Sequence, residues 1–158
     1  MQTFVPYPDM QRSAEVLDDK RLGKQRVEAL QIIRALTYET YGWKHHPAVL
    51  MWRGYEEALG AYAKAICDEW TKRGYADTCA TTIGTDLTTA GITPVRTERQ
   101  LGKADKLPPW WGDDAVHASH RRALLRKDPD HYRQHFEDDA LKENDDYVWP
   151  VRKTTTTK

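Results

Sequence analysis

Apolar residues recur every three or four positions along two long stretches of the chain, which is the spacing of one face of an α-helix. In the more regular stretch they are Ala48, Trp52, Tyr55, Leu59, Tyr62, Ile66 and Trp70. Pro47 suits a first helical position, because its fixed φ and missing N–H are tolerated there. Gly74, which follows two basic residues, is a common helix stop. We therefore predict one helix from Pro47 to the residues just before Gly74.

The preceding stretch has a broader apolar surface, formed by Val16, Leu22, Val27, Leu30, Ile33 and Leu36. Ser13 is a suitable N-cap, since its hydroxyl can accept a hydrogen bond from a free backbone N–H of the first turn. Gly42 and the turn residues around it end the pattern. The pattern predicts a helix over residues 13–36.

The second half of the chain is less regular. Residues 75–112 are rich in Thr and Gly, contain several prolines and show no sustained period, so we predict a long surface loop with some local structure. A third helix is predicted over residues 113–127 with Asp113 as its cap, followed by a short helical segment from Pro129 to Phe136. The expected fold class is all-α, a compact bundle of three main helices with a long irregular loop.

The composition fits a single soluble domain. The chain has 158 residues, 39% of them hydrophobic and 30% charged, and we expect one domain over residues 1–150 with a disordered tail over 151–158. No stretch is apolar enough to cross a membrane, and the opening residues lack the pattern of a secretory signal. Cys67 and Cys79 have neither disulfide nor metal-type spacing, which favours reduced thiols and a cytoplasmic or nucleoid-associated protein.

The net charge of zero speaks against a nucleic-acid binder, but the charges are unevenly distributed. Basic residues cluster at Lys20, Arg21, Lys24, Arg26 and Arg34, and again at Arg121, Arg122, Arg126, Lys127 and Arg133. Acidic residues gather at Glu137, Asp138, Asp139, Glu143, Asp145 and Asp146. A neutral total is therefore compatible with one basic face.

A polar stripe marks the first predicted helix. Lys20, Lys24, Glu28 and Gln31 fall within roughly an 80° arc of its surface. The stripe is either a solvated face stabilised by Lys–Glu pairs or the charged wall of a groove. The spacing alone leaves both interpretations open.

The run from Asp19 to Glu28, DKRLGKQRVE, resembles the first-helix motif of phage pyrimidine-dimer DNA glycosylases of the endonuclease V type. Glu28 falls where that family has its catalytic carboxylate. A longer stretch, which begins at His46 and ends in the Lys-Arg-Gly-Tyr of residues 72–75, is similar to the family's His-headed helix. Residues 119–136 show a looser similarity. Together these segments cover about half of the chain in the family's order.

The resemblance implies a DNA N-glycosylase with abasic-site lyase activity that excises a damaged or modified pyrimidine from double-stranded DNA. Members of this type flip the nucleotide, attack the sugar C1′ with an amine and release the base through an imine. The carboxylate stabilises the developing positive charge and moves a proton. We expect a monomer that needs neither a metal nor an organic cofactor.

The sequence offers three candidates for the nucleophile. The family uses an α-amino group exposed by removal of the initiator Met, but the bulk of Gln2 should prevent that removal here. We favour the α-amine of Met1, because amines of that class have a pKa near about 8 and are neutral more often than lysines. Lys20 and Lys24 are the other candidates. A monofunctional glycosylase for a hypermodified base and a non-catalytic DNA-binding helical domain remain alternatives.

Phosphate contacts are expected from the two basic clusters, at Arg21, Arg26, Arg121, Arg122 and Arg126. His45 and His46 precede Pro47, and neither has a Cys or carboxylate partner at a spacing that suits a metal, so we predict no metal site. His46 matches the family's helix-heading His, and it either contacts the DNA or caps the helix.

Two aromatic pairs lie next to polar segments. They are Trp110 with Trp111, after two prolines, and Tyr147 with Trp149. Each pair either stacks on bases of a distorted duplex or closes one end of the core.

Overall fold

The computed structural model describes residues 1–136 and 147–150. Within these ranges the chain forms eight helices and no strand, so the all-α prediction is confirmed. The helices are α1 (Met10–Val16), α2 (Asp19–Thr37), α3 (Pro47–Leu50), α4 (Glu56–Lys72), α5 (Cys79–Thr89), α6 (Glu98–Lys103), α7 (Asp114–Lys127) and α8 (Pro129–Phe136). None of these helices is long and apolar enough to cross a membrane. The predicted tail and the acidic residues of 137–146 lie outside the described ranges.

The predicted first helix is two helices. Ser13 lies inside α1 and does not cap it, because its hydroxyl donates to the carbonyl of Tyr7 at 3.1 Å. Leu17 is extended, with ψ of 138°, and Asp18 starts α2 as its N-cap. The backbone N–H of Asp18 donates to the hydroxyl of Tyr132 on α8 at 3.0 Å. The prediction of one helix over 13–36 was therefore wrong, because a cap and a tertiary contact break the apolar period at residues 17–18.

The predicted second helix is also interrupted. Pro47 does begin a helix, but α3 ends at Leu50, and the chain turns through Gly54 at φ +88° before α4 begins. The turn places Trp52 in the core with no exposed surface, so packing outweighs the helical period there. The predicted end is correct, since Gly74 follows α4 with φ +98°.

The prediction of a loop over residues 75–112 was wrong, because this region contains α5 and α6. Thr-rich α5 has little intrinsic helix propensity, but Ile83 and Leu87 bury its apolar side. Leu87 packs so closely on Gly60 of α4 that a Cβ at Gly60 would lie 2.9 Å from it. Tertiary packing therefore supplies what propensity lacks. A local signal existed for α6, whose capping box joins Thr97 and Gln100.

The last two helices agree with the prediction. Asp113 caps α7 by accepting from the backbone N–H of Ala115 at 3.1 Å, and α8 runs over the predicted residues. Trp110 is buried just before α7, and its indole N–H donates to the carbonyl of Met51 at 2.7 Å. Of the two interpretations of this tryptophan, the structure therefore supports the core role.

The core forms where α2 crosses α4, with α1 and α5 packed against them and α8 against α7. Gly23 of α2 permits a close approach of the two helices, because a Cβ there would lie 2.9 Å from the ring of Trp70 on α4. The glycine within the first-helix motif thus has a packing reason. Gln25 and Glu28, on another side of α2, face the segment that precedes α1.

Candidate active site

The first residues of the chain run as an extended segment through the interior of the bundle. Gln2, Thr3 and Val5 are 4%, 0% and 0% exposed. An extended segment cannot pair its own backbone groups, and buried unpaired groups are costly, so neighbouring helices must supply partners.

Side chains from outside the segment hold it in place. The indole N–H of Trp52 donates to the Thr3 hydroxyl at 2.9 Å. On α7, Nδ1 of His120 accepts from the Val5 N–H at 3.0 Å, and Nδ1 of His117 lies 2.7 Å from the Val5 carbonyl. These contacts fix the path of the segment and therefore the position of the amine at its start.

Gln25 of α2 joins this segment to the candidate carboxylate. Its Nε2 donates to Glu28 Oε2 at 2.7 Å and to the Gln2 carbonyl at 2.8 Å. Its Oε1 accepts from the Phe4 N–H and from the Tyr62 hydroxyl, both at 2.8 Å. One buried amide thus uses all of its hydrogen-bonding capacity and orients both the chain start and Glu28.

Replacing Gln25 by Leu is expected to destabilise the fold. The change leaves the Phe4 N–H and the Gln2 carbonyl without partners, and each unsatisfied buried group costs about 1–3 kcal/mol. We expect the free energy of unfolding to fall by roughly 2–4 kcal/mol in urea titrations. Gln134, which is exposed on α8, provides the matched Gln→Leu control. A loss no larger than that of the control would contradict the role of Gln25.

The α-amine of Met1 and the carboxylate of Glu28 lie next to each other. The amine nitrogen is 3.8 Å from Oε1 of Glu28, and the two side chains are only 6% and 12% exposed. Glu28 therefore does not point into bulk solvent, as an ordinary residue on a solvated helix face would. The other carboxylate oxygen is held by Gln25, so the oxygen that faces the amine has a defined position.

The amine and the carboxylate open into a cleft of about 370 Å³. Its lining residues are Met1, Gln2, Phe4, Lys20, Arg21, Lys24, Gln25, Glu28, Lys127 and Tyr147. Of these ten described residues, four are cationic and one, Glu28, is acidic. Although the whole chain is neutral, the cleft has a local excess of positive charge that favours an anionic ligand.

The predicted residues of α2 divide into two groups. Lys20 and Lys24 are exposed at the cleft, and Arg21 lines it while pairing with Asp18 at 3.2 Å. Arg26 does not line it. Its guanidinium pairs with Asp77 at 2.6 Å and lies 4.5 Å from the centre of a Trp70 ring, on the side where α2 meets α5.

The predicted arginines of α7 also differ in position. Arg121 donates to the Pro6 carbonyl at 2.8 Å and pairs with Asp114, so it anchors the extended segment. Arg126 is exposed and close enough to Tyr147 to influence its ionisation. Arg122 is half-buried, and neither it nor Arg121 lines the cleft. The α7 cation that lines the cleft is Lys127.

His46 lies near the amine and also caps a helix. Its Nδ1 accepts from the Ala48 N–H at 3.0 Å as the N-cap of α3. Burial lowers the pKa of His46, and the positive charge of the Met1 amine lowers it further. His45 is exposed. His46 is thus within electrostatic range of the amine.

Tyr147 and Trp149 form the second of the two predicted aromatic pairs. Tyr147 lines it and packs against Phe4 with ring centres 6.3 Å apart. Burial raises the pKa of Tyr147, and the negative charge of Glu28 raises it further. Trp149 packs against Tyr147 at 5.5 Å. Tyr147 is therefore available to the cleft, with Trp149 packed against it, whereas Trp110 is buried in the core.

The buried histidine that holds Val5 predicts a pH dependence of stability. Burial lowers the pKa of His120 to about 3, with smaller effects from the nearby charges of His117 and Arg121. The unfolded chain binds a proton near pH 6.5 but the folded chain does not, so the free energy of unfolding falls as the pH drops below about 6.5. One such proton gives a slope of about 1.4 kcal/mol per pH unit.

Replacing His120 by Asn tests this dependence, because the amide oxygen can still accept from Val5 but does not titrate. We expect urea titrations between about pH 7 and pH 4 to give a shallower slope for this variant. The pKa of His117 is also lowered, mainly by burial, so part of the slope should persist. An unchanged slope would show that His120 does not contribute.

A family model described as pyrimidine dimer DNA glycosylase matches residues 1–82, which is more than half of the chain. The chain belongs to this family. Neither a search of curated proteins nor a search of solved structures gives a match. The matched range includes the extended segment, Glu28 and His46, whereas the looser similarity over residues 119–136 lies outside it.

Membership in the pyrimidine dimer DNA glycosylase family makes DNA the class of substrate and base release the class of reaction. The site contains residues that the sequence reasoning did not select, namely Gln25, Tyr62 and Lys127. Lys127 was visible as part of the second basic cluster. Gln25 and Tyr62 gave no separate signal, because a polar residue at a buried position is recognisable only once its partners are known.

Proposed function

We propose that this family member is a DNA N-glycosylase with abasic-site lyase activity, which excises a damaged or modified pyrimidine through an amine–sugar imine. The proposal is supported above all by the 3.8 Å contact between the Met1 amine and the Glu28 carboxylate in a cationic cleft. At this separation, a nucleophile and a proton acceptor can act on the same sugar carbon.

In the proposed reaction the amine first transfers a proton, for which the Glu28 carboxylate is the adjacent acceptor. The nitrogen then attacks C1′, the glycosidic bond breaks, and the base leaves with the bonding electrons and takes up a proton. Opening of the sugar ring gives the imine between the Met1 nitrogen and C1′. Removal of a proton from C2′ then expels the 3′ phosphate and breaks the strand.

The α-amine suits the nucleophilic role better than the two lysines do. Amines of its class are neutral near neutral pH more often than lysines, and only the neutral form attacks carbon. Lys20 and Lys24 are exposed at the rim, whereas the Met1 amine is next to Glu28. The same two lysines, with Arg21 and Lys127, are suited to contact phosphates on either side of the flipped nucleotide.

The test is incubation of the protein with ultraviolet-irradiated and base-modified duplexes at low salt, with and without borohydride. Low salt is needed because phosphate contacts weaken steeply as salt rises. Strand breaks together with a covalent adduct are expected. Base release without an adduct would favour a monofunctional glycosylase, and binding without release would favour a DNA-binding domain.

A further inference from the structure

Trp43 is the most exposed large hydrophobic side chain in the described part of the chain, at 63%. Its backbone has φ of +70°, a conformation that a bulky L-residue rarely adopts. Most of this apolar ring is exposed to water, so it gains little stabilisation from burial in the folded chain. Such strain persists where the surroundings impose it, often at a site of function.

The turn that carries Trp43 is firmly held. The ammonium group of Lys44 donates to the carbonyl of Ala35 at 2.8 Å and to the carbonyl of Tyr38. The carbonyl of Lys44 accepts from Arg53 at 3.1 Å, and the carbonyl of Trp43 accepts from the His46 N–H at 2.9 Å. The exposed ring is therefore presented on a fixed turn at the C-terminal end of α2.

A row of aromatic rings connects this turn to the cleft. The ring of Trp43 lies 6.0 Å from that of His46, which lies 6.1 Å from that of Trp149. Trp149 in turn packs on Tyr147, which lines the cleft beside the amine and Glu28. Trp43 is thus joined through His46, Trp149 and Tyr147 to the cleft that contains the amine and Glu28.

We propose that Trp43 is a wedge that enters the DNA duplex and fills the gap left by the flipped nucleotide. The proposal rests on the proposed function. Flipping a base loses its stacking on both neighbours, and an aromatic ring can replace much of that stacking. The turn presents such a ring before DNA arrives, so no ordering of the side chain is needed at the moment of flipping. The partner recognised by Trp43 is thus a stack of bases next to the target.

The test compares Trp43→Ala with the conservative Trp43→Phe on two duplexes, one with a base-paired target lesion and one with an abasic site at that position. The readouts are base release for the first, borohydride trapping for both, and fluorescence of a 2-aminopurine next to the target. Aromatic–base stacking predicts that Trp43→Ala slows base release by about 10- to 100-fold and abolishes most of the fluorescence change. Trp43→Phe should restore most of both.

The abasic duplex provides the discriminating control, because it has no base at the target position and therefore no stacking to lose there. We expect Trp43→Ala to trap on it within about twofold of the wild-type rate. Equal loss on both duplexes, or no loss on the paired one, would overturn the wedge while the wild-type reaction stands. If the wild-type protein traps neither duplex, the proposed function fails, and the wedge fails with it.

Discussion

Replacing Glu28 by Gln is expected to lower the rate of base release and strand scission by about 10²- to 10⁴-fold, the usual contribution of a positioned acid–base group. The amide has nearly the same shape and can still accept from Gln25, so the fold should be preserved. It cannot, however, take a proton from the Met1 amine or stabilise a cationic sugar. Release should be measured under single-turnover conditions on an irradiated duplex, with duplex affinity measured in parallel.

The affinity of this variant for DNA should stay the same or rise slightly, since the change removes the negative charge of Glu28 from a cleft whose other described lining residues are cationic or neutral. Glu15 is exposed on α1 and provides the matched Glu→Gln control, which should leave the rate unaffected. Undiminished release by the Glu28 variant would remove this carboxylate from the mechanism.

Blocking the α-amine of Met1 is expected to abolish the borohydride-trapped adduct. An acetylated nitrogen has no available electron pair for attack on C1′. An added residue before Met1 would move the free amine away from Glu28, because the following residues are fixed in the interior by Trp52 and His120. The measurement is the yield of covalent protein–DNA adduct on an abasic duplex, with peptide mass spectrometry to locate it.

Variants of the two rim lysines separate the candidate nucleophiles. Lys20→Arg and Lys24→Arg keep the positive charge for phosphate but remove the primary amine. Both should form the adduct at nearly the wild-type yield. An adduct that survives acetylation of Met1 and disappears in one of these variants would assign the nucleophile to that lysine.

Local signals in the sequence correctly predicted several helix starts and ends, because these depend on interactions within a single turn of the chain. Asp113 at the start of α7, Pro47 at the start of α3 and Gly74 after α4 each act through the backbone of their own turn. Ser13 was misjudged because its hydroxyl bonds to Tyr7. Thr-rich α5 was missed because its stability comes from Leu87 against α4 and not from propensity.

The candidate site was predictable only in its residue types. The motif around Glu28 indicated a carboxylate on the first long helix, and the basic clusters indicated an anionic partner. Which cations reach the cleft was decided by packing. Arg26 is held by Asp77 and Arg121 by the Pro6 carbonyl, whereas Lys127 lines the cleft.

By itself the sequence determined the helical class and several helix ends, because each depends on residues within a few positions of one another. Glu28 became the candidate acid through the resemblance of the motif around it to the family's first helix. Only the tertiary structure decided that the first residues run through the core and that the Met1 amine stops 3.8 Å from that acid. The reason is that an extended segment has no internal hydrogen bonds. Its position is therefore set by distant side chains, above all Gln25, Trp52 and His120, which only folding brings to it.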